Sequence, residues 1–414
     1  MQSEWRDCAL GEAITLKRGY DLPAKERRPG AVPIVSSSGF SDLHSDAMVK
    51  GPGVVTGRYG TIGQVFYVSQ DFWPLNTTLY VQDFKGNDPR FVSYMLRTVD
   101  FHQFSDKAAV PGVNRNHLHT ASIRLPPLAE QVRISQVLQS LDDRIDLLRQ
   151  ANATLESIAQ ALFKSWFIDF DPVRAKAEGR EPEGMDTATA ALFPAEFEES
   201  ALGLIPKGWT YRPAEELFDV GIGKTPPRKE PHWFSEGSGD MRWLSIKDMG
   251  DEGTIASRSS EFLSSEAVTR FNVRVVPSRT VLMSFKLTVG RLSITDGPMC
   301  TNEAIAHFKA REGSPQFTYL YCYLKAFDFR TLGSTSSIAD ATNSKAVKAL
   351  PVLFPSSRLV DAFHRTSAEM FEKMFVQKSH CRRLEELRDT LLPRLISGKL
   401  RLPEALEAAE AVAA

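Results

Sequence analysis

LAEQVRISQVLQSLDDRIDLLRQANATLESIAQALFKSWFI, residues 128–168, decides how this chain is built. Within it Ile134, Leu138, Leu141, Ile145, Leu148, Asn152, Leu155, Ala159, Leu162 and Trp166 follow one another at spacings of four and three without a break. That spacing keeps ten side chains on one stripe of a helix, and Asn152 alone among them is polar. It is the pattern of a coiled-coil seam. Val360, Phe363, Ser367, Met370, Met374, Gln377, Cys381, Leu384, Arg388, Leu391 and Leu395 repeat it, with three polar members. Two such seams predict two helices of about 50 Å each, most simply packed against each other. A pseudo-twofold between them would make them antiparallel, with Asn152 and Gln377 available to fix register. The alternative is a seam that serves only a partner chain.

The stretches ahead of the seams also match. Trp5 pairs with Trp209, Glu12 with Glu216, Gly19 with Gly223 and Pro23 with Pro227. Further on, Gly60-Thr61-Ile62-Gly63 answers Leu287-Thr288-Val289-Gly290, Asn76 answers Asn302, Phe91 answers Phe317 and Pro127 answers Pro355. The rising offset implies an insertion in the second copy between Pro227 and Gly290. Each copy opens with short β-like runs bounded by glycine, such as Gly53–Thr56 and Gln64–Val68 against Thr280–Met283 and Arg291–Ile294. A helix follows in each, over Pro89–Val99 and Pro315–Phe327, with proline in its first turn. The expected fold is therefore mixed α/β. It has two mixed domains, residues 1–127 and 209–355, and two long antiparallel helices, residues 128–168 and 356–400. A linker spans 169–208 and a tail 401–414.

The 414 residues carry 50 Lys+Arg against 51 Asp+Glu, and 42% are hydrophobic, so real cores are expected. Residues 1–127 hold 14 basic and 12 acidic side chains, residues 210–350 hold 18 and 16, and residues 169–209 hold 4 and 9. No strongly basic footprint exists, so DNA binding would rest on local loops or on a partner's phosphate contacts. No apolar run suggests a membrane span, and no signal peptide is expected at the N-terminus. Cys8, Cys300, Cys322 and Cys381 are scattered, which suits a reducing cytoplasm.

Four segments together resemble the specificity (S) subunit of type I restriction–modification systems. They are Leu125-Pro126-Pro127-Leu128-Ala129-Glu130-Gln131, Leu162-Phe163-Lys164-Ser165-Trp166-Phe167-Ile168-Asp169-Phe170-Asp171-Pro172-Val173, Leu202-Gly203-Leu204-Ile205-Pro206-Lys207-Gly208-Trp209 and Leu391-Leu392-Pro393-Arg394-Leu395-Ile396-Ser397-Gly398-Lys399-Leu400. Leu353-Phe354-Pro355-Ser356-Ser357 keeps one proline where the first copy has two. The resemblance implies two target-recognition domains, each reading one half of a bipartite, asymmetric site in double-stranded DNA. It implies helices that dock two modification (methyltransferase) subunits, and restriction (translocase–nuclease) subunits that join them. S-adenosylmethionine, ATP and magnesium would belong to those partners. This chain would hold no cofactor and no metal.

Base readout needs Arg, Lys, Asn or Gln at groove edges. In the first domain the candidates are Lys17, Arg18, Tyr20, Ser36, Ser37, Ser38, Arg58, Tyr59, Asn114, Arg115 and Asn116. Gly57-Arg58-Tyr59-Gly60 leads, because its glycines expose a base reader beside a stacking ring. In the second domain they are Lys224, Thr225, Arg228, Lys229, Lys247, Lys286, Asn343 and Lys345. Trp166, Phe167 and Phe170, expected exposed near a helix end, and Arg394 are the partner-binding set. Arg133, Asp142, Asp143, Arg144, Arg149, Glu156, Lys373, Arg382, Arg383, Glu385 and Glu386 read as a solvated helix face, part of which the resemblance makes a dock.

Other chemistries fail on spacing. Gly221-Ile222-Gly223-Lys224-Thr225 imitates a P-loop, but Phe218 stands where the pattern needs glycine and Pro226-Pro227 block the helix. His117-x-His119 has no third ligand nearby in sequence, so a loop histidine is expected. No nucleophile elbow, adenine-methyltransferase motif or nuclease set is found. Catalysis by this chain alone is not expected. The competing readings are a coiled-coil interaction protein that never touches DNA and a one-chain enzyme.

Overall fold

The computed structural model describes residues 5–105, 112–235, 237, 239–286, 288–332, 343–405 and 407. Leu287 of the Leu287–Gly290 match lies outside them, as does most of the tail expected over 401–414. The chain forms two compact units, Met1–Leu147 with Cys381–Ala414, and Leu148–His380.

The first unit begins with β1 (Arg6–Ala9), α1 (Leu10–Ala13), β2 (Thr15–Arg18), β3 (Val32–Ser36), β4 (Gly39–His44), β5 (Gly53–Gly57) and β6 (Val65–Val68). It continues with β7 (Trp73–Pro74), β8 (Thr78–Asp83), α2 (Pro89–Arg97), α3 (Arg115–Leu118), β9 (Ser122–Leu125) and the start of α4 (Leu128–Phe167). Its sheets run β2-β8-β5-β6, β4-β3-β7 and β1-β9. Asp88 starts α2 by accepting from the Phe91 N–H at 2.7 Å, and Pro89 supplies a preset first turn. That helix buries Phe91, Val92, Tyr94, Met95 and Leu96.

The second unit holds the end of α4, then α5 (Asp171–Ala177), α6 (Thr187–Ala190), β10 (Phe197–Ser200), β11 (Gly203–Pro206), β12 (Thr210–Pro213), α7 (Ala214–Leu217) and β13 (Phe218–Ile222). Next come β14 (Phe234–Ser235), β15 (Met241–Leu244), α8 (Ile246–Glu252), β16 (Ile255–Ala256), β17 (Glu261–Leu263) and α9 (Ser265–Arg270). The unit is completed by β18 (Val281–Ser284), β19 (Leu292–Thr295), β20 (Cys300–Thr301), β21 (Ile305–Ala310), α10 (Phe317–Ala326), α11 (Ser344–Lys348), β22 (Pro351–Phe354) and the start of α12 (Ser357–Ile396). Pro315 precedes α10 rather than filling its first turn, because Gln316 takes the cap position.

The duplication is legible strand by strand. The order β2-β8-β5-β6 recurs as β13-β21-β18-β19, β4-β3-β7 recurs as β17-β15-β20, and β1-β9 recurs as β12-β22. Even the parallel pairing of β3 with β7 returns between β15 and β20. The insertion expected between Pro227 and Gly290 contains β14, α8, β16 and α9, which have no counterpart. The matched glycines have a physical reason. A Cβ on Gly19 would lie 2.2 Å from the Leu75 carbonyl oxygen, and one on Gly223 would lie 2.1 Å from that of Asn302. These contacts also correct one pairing. Arg58 donates its N–H to Thr77 O while Phe285 donates to Ala304 O, so Asn76 corresponds to Glu303, not Asn302.

Both seams are buried or half-buried along their length. In the first unit Arg388 donates to Asp142 at 2.8 Å, and the Cys381 thiol meets Ile145 O at 3.8 Å. In the second, Asn152 donates to Met374 O at 3.4 Å. In the first unit the partner number falls as the α4 number rises, and in the second Phe163 on Phe363 follows Asn152 on Met374 in the same sense, so the helices are antiparallel. The architecture is mixed α/β with an internal repeat and two long antiparallel helices. No helix among the described residues is long and apolar enough to cross a membrane.

Two expectations are overturned. Trp166 and Phe167 are not exposed: they retain only 6% and 3% of their accessible surface. The linker folds back over Trp166, and residues beyond it cover Phe167. Trp166 meets Phe193 edge-on at 5.3 Å, and Phe167 packs on Trp209 at 5.8 Å and Phe363 at 5.4 Å. Asp142 and Glu156 do not sit on a solvated face either. Asp142 also accepts from Tyr94 at 2.8 Å, and Glu156 accepts from Tyr321 at 2.7 Å and Thr254 at 2.6 Å. Burial opposes ionisation of Glu156, yet those hydroxyls and Lys325 hold its carboxyl below the usual range.

Candidate nucleic-acid interface

In the first unit the end of β2, the β5–β6 turn and the start of α3 converge. Arg18, Arg58, Tyr59, Asn114 and Arg115, with Leu79 and Val113, line a cavity of about 330 Å³. Gly57 makes the turn possible, since a Cβ there would stand 1.9 Å from Thr61 O. Arg58 and Tyr59 donate their N–H groups to Thr77 O at 2.9 and 3.2 Å, and Val113 donates to Arg58 O at 3.0 Å. The Arg58 guanidinium rests on the Tyr59 ring, 4.5 Å from its centroid. A Cβ on Gly112 would invade that ring, so glycine keeps its place open. Among the described residues, no carboxylate is in ion-pair range of Arg58 or Arg115, whereas Arg18 lies 3.8 Å from Asp21.

The other first-domain candidates flank this cavity or support it. Ser37 adjoins the turn at Gly60. Lys17 lies over the Tyr20 ring at 5.6 Å, and the Tyr20 hydroxyl meets that of Tyr80 at 2.9 Å. Burial, then this hydrogen bond, pushes the Tyr80 phenol up. Asn114 accepts from the Asn116 N–H at 2.9 Å as the cap of α3. Its side-chain carbonyl is used locally. His119 accepts from the Leu16 N–H at 3.0 Å, and burial lowers its imidazole pKa. No group of three or more metal-ligating side chains forms among the described residues.

The second unit builds the same corner with different charges. Lys224 donates its N–H to Thr301 O at 2.9 Å, as Tyr20 does to Pro74 O at 2.8 Å. The Thr225 hydroxyl donates to Glu303. Arg228 is held by both oxygens of Glu261, at 2.6 and 2.9 Å, and stacks on Phe234 at 4.0 Å. It therefore fastens the inserted β14 to β17, and its guanidinium is already engaged. Lys286, over Phe285 at 5.5 Å, occupies the place of Tyr59. Lys229, Lys247 and Lys345 are exposed, and Asn343 caps α11 as Asn114 caps α3. His307 stands where the first unit has Tyr80, its Nε2 2.5 Å from the Thr301 hydroxyl. Burial drives its pKa down to about 3, with Arg274 adding to the shift and Asp219 opposing it. Glu303 and Glu261 were not among the sequence candidates. A search for cations overlooks carboxylates, and the repeat register that would have flagged Glu303 was one residue off.

Of the partner set, Arg394 is exposed and lines a groove of about 670 Å³ with Arg124 and Lys399. Phe170 is half-buried beside a groove of about 420 Å³ that also receives Leu202 and Leu204 from the β10–β11 hairpin. Those leucines are 59% and 53% exposed and were not singled out in the sequence.

A family described as the type I restriction modification DNA specificity domain matches residues 2–157 and again residues 206–357. The chain belongs to the type I specificity subunits. It is 28% identical over 337 residues to the type I restriction enzyme HindI specificity subunit of Haemophilus influenzae, covering 72% of each chain. It is 23% identical to the MjaIX specificity subunit of Methanocaldococcus jannaschii, over 76% of this chain and 69% of that one. Its fold resembles the crystal structure of a type I restriction–modification S subunit from M. genitalium. The TM-score is 0.57 and the identity 15%, over 95% and 96% of the two chains. The repeat seen in the strands thus coincides with a specificity domain present twice.

Proposed function

We propose that this specificity subunit is a non-catalytic DNA reader and scaffold. Residues 1–127 and 209–355 each read one half of a bipartite, asymmetric target. Helices 128–168 and 356–400 set the gap between the halves and dock two modification subunits, which restriction subunits then join. The observation that carries this reading is the corner built twice on one frame with different side chains: Tyr20, Asp21, Tyr59 and Asn76 in one copy stand where Lys224, Thr225, Lys286 and Glu303 stand in the other, and Arg18, Arg58 and Arg115 stand where the second copy has Ile222, Phe285 and Ser344. Unlike readers on one frame suit unlike half-sites. Arginine beside an aromatic ring suits a guanine edge, which offers O6 and N7 acceptors. Lys17, Tyr20, Ser37, Asn114, Asn116, Lys229, Lys247, Asn343 and Lys345 flank or support the corners and would hold phosphates. Arg228 would act by bracing. Exposed Arg394 and half-buried Phe170 would meet a partner, whereas Trp166 and Phe167 would only support that surface. The working complex would act in the cytoplasm.

The test is genome-wide mapping of modified bases in cells carrying the chain with its methyltransferase. The expected product is one two-part motif. Arg58→Ala should relax a position in one half and leave the other intact. Modification without any sequence preference would overturn the reading.

A further inference from the structure

Resting on that reading, we propose that Glu303 is a specificity-determining residue of the second domain, accepting a hydrogen bond from the exocyclic amino group of a cytosine. Three observations converge. Glu303 is exposed, and it takes the position of Asn76, next to the carbonyl that receives the β-turn N–H in each domain: Thr77 O from Arg58 in the first, Ala304 O from Phe285 in the second. In both copies this position clips to the loop after the first sheet strand, with the polarity reversed. Asn76 donates to the carboxylate of Asp21, whereas the carboxylate of Glu303 receives the Thr225 hydroxyl. One domain thus offers an amide at a site where the other offers an acceptor.

The charge state follows from the surroundings. Partial burial disfavours ionisation of Glu303. The Thr225 hydroxyl, its own backbone N–H and the charges of Lys286 and Arg228 outweigh that and keep the carboxyl below the usual range. Glu303 is therefore an acceptor without a proton to give at neutral pH. A carboxylate facing a polyanion is repelled unless a donor meets it. In the major groove the base donors are the amino groups of cytosine and adenine. Adenine places the N7 lone pair beside its amino group, which repels a carboxylate. Cytosine carries no acceptor there, so it is the base that Glu303 fits.

The experiment uses the full chain with its methyltransferase partner, and modified-base maps of the parent, Glu303→Gln and Glu303→Ala. The parent motif should contain a cytosine, on one strand of one half, whose identity the variants alter. Glu303→Ala should cut discrimination there by roughly 10- to 100-fold. Glu303→Gln keeps an acceptor for Thr225 and gains a donor, so its preference should move toward adenine. Thermal melting of each variant separates reading from folding. An unchanged motif in both, or loss of the whole motif in a stably folded Glu303→Gln, would overturn the assignment and leave Glu303 a loop clip. A parent with no sequence preference would overturn the functional reading itself.

Discussion

The two domains share their strands but not the surfaces those strands carry. The frame is held by backbone contacts: Gly19 and Gly223 press the same loop against the same neighbour, and Tyr20 and Lys224 donate through their N–H groups. Side chains hardly enter this, so they were free to diverge. In the first domain Arg58 and Arg115 meet no carboxylate among the described residues. In the second, Thr225 and Arg228 are each answered by one. A duplicated frame fixed by its backbone lets one chain carry two unlike surfaces.

The largest expected difference lies at the helix ends. Phe163 is fully buried among Phe167, Tyr319 and Phe363, while Leu392, which stands as far from the start of α12 as Phe163 does from the start of α4, is half-buried. Phe163→Ala should cost about 3–5 kcal/mol in denaturant unfolding. Leu392→Ala should cost about 1–2 kcal/mol. Equal losses would break the comparison. The carboxylates on α4 give the next contrast. Asp142→Ala leaves the Tyr94 hydroxyl without its acceptor and Arg388 with Asp389 alone among the described residues, an expected loss of about 2–3 kcal/mol. Glu156→Ala leaves Tyr321 within 3.2 Å of the Thr254 hydroxyl, so about 1–2 kcal/mol is expected.

Acid should separate the domains as well. His307 has a folded pKa of about 3 against an ordinary 6.5. Its depression means the unfolded chain takes up the proton first. The stability it lends is present above pH 6.5 and is lost as pH falls toward 3. Between pH 6.5 and 5 the loss should be about 2 kcal/mol. Tyr80 at the equivalent place stays protonated throughout, and the partly buried His119 gives the first domain a shallower version of the effect. His307→Gln should flatten the slope in the second unit's unfolding transition. An unchanged slope would assign the acid sensitivity elsewhere.

The helices were legible because a seam repeats over many turns and its signal accumulates. The expected helices 128–168 and 356–400 sit close to the observed Leu128–Phe167 and Ser357–Ile396. The repeat was legible through residues with one backbone role each, such as Gly19 and Gly223. Trp166 and Phe167 were misread because a helix end looks open until the path of the following linker is known. Glu303 was missed because strand register depends on hydrogen bonds that no sequence offset displays, and one residue of error replaces a carboxylate with an asparagine.

The finest contrast is between Arg58 and Lys286, the prominent cations of the two β-turns. Arg58 is preorganised: its N–H and carbonyl are both bonded, and its guanidinium lies on Tyr59. A planar fork held in this way can address two acceptors of one base. Arg58→Ala should cost about 1–3 kcal/mol in binding and relax one base position. Lys286 is a flexible point charge over Phe285. Its removal should weaken binding to all sequences alike and lower the salt slope by about 1. Titration of the assembled complex against site variants at several salt concentrations reads both effects. A sequence-independent loss for Arg58→Ala would make the turn a phosphate grip in both domains, and the readers would then have to lie elsewhere on the frame.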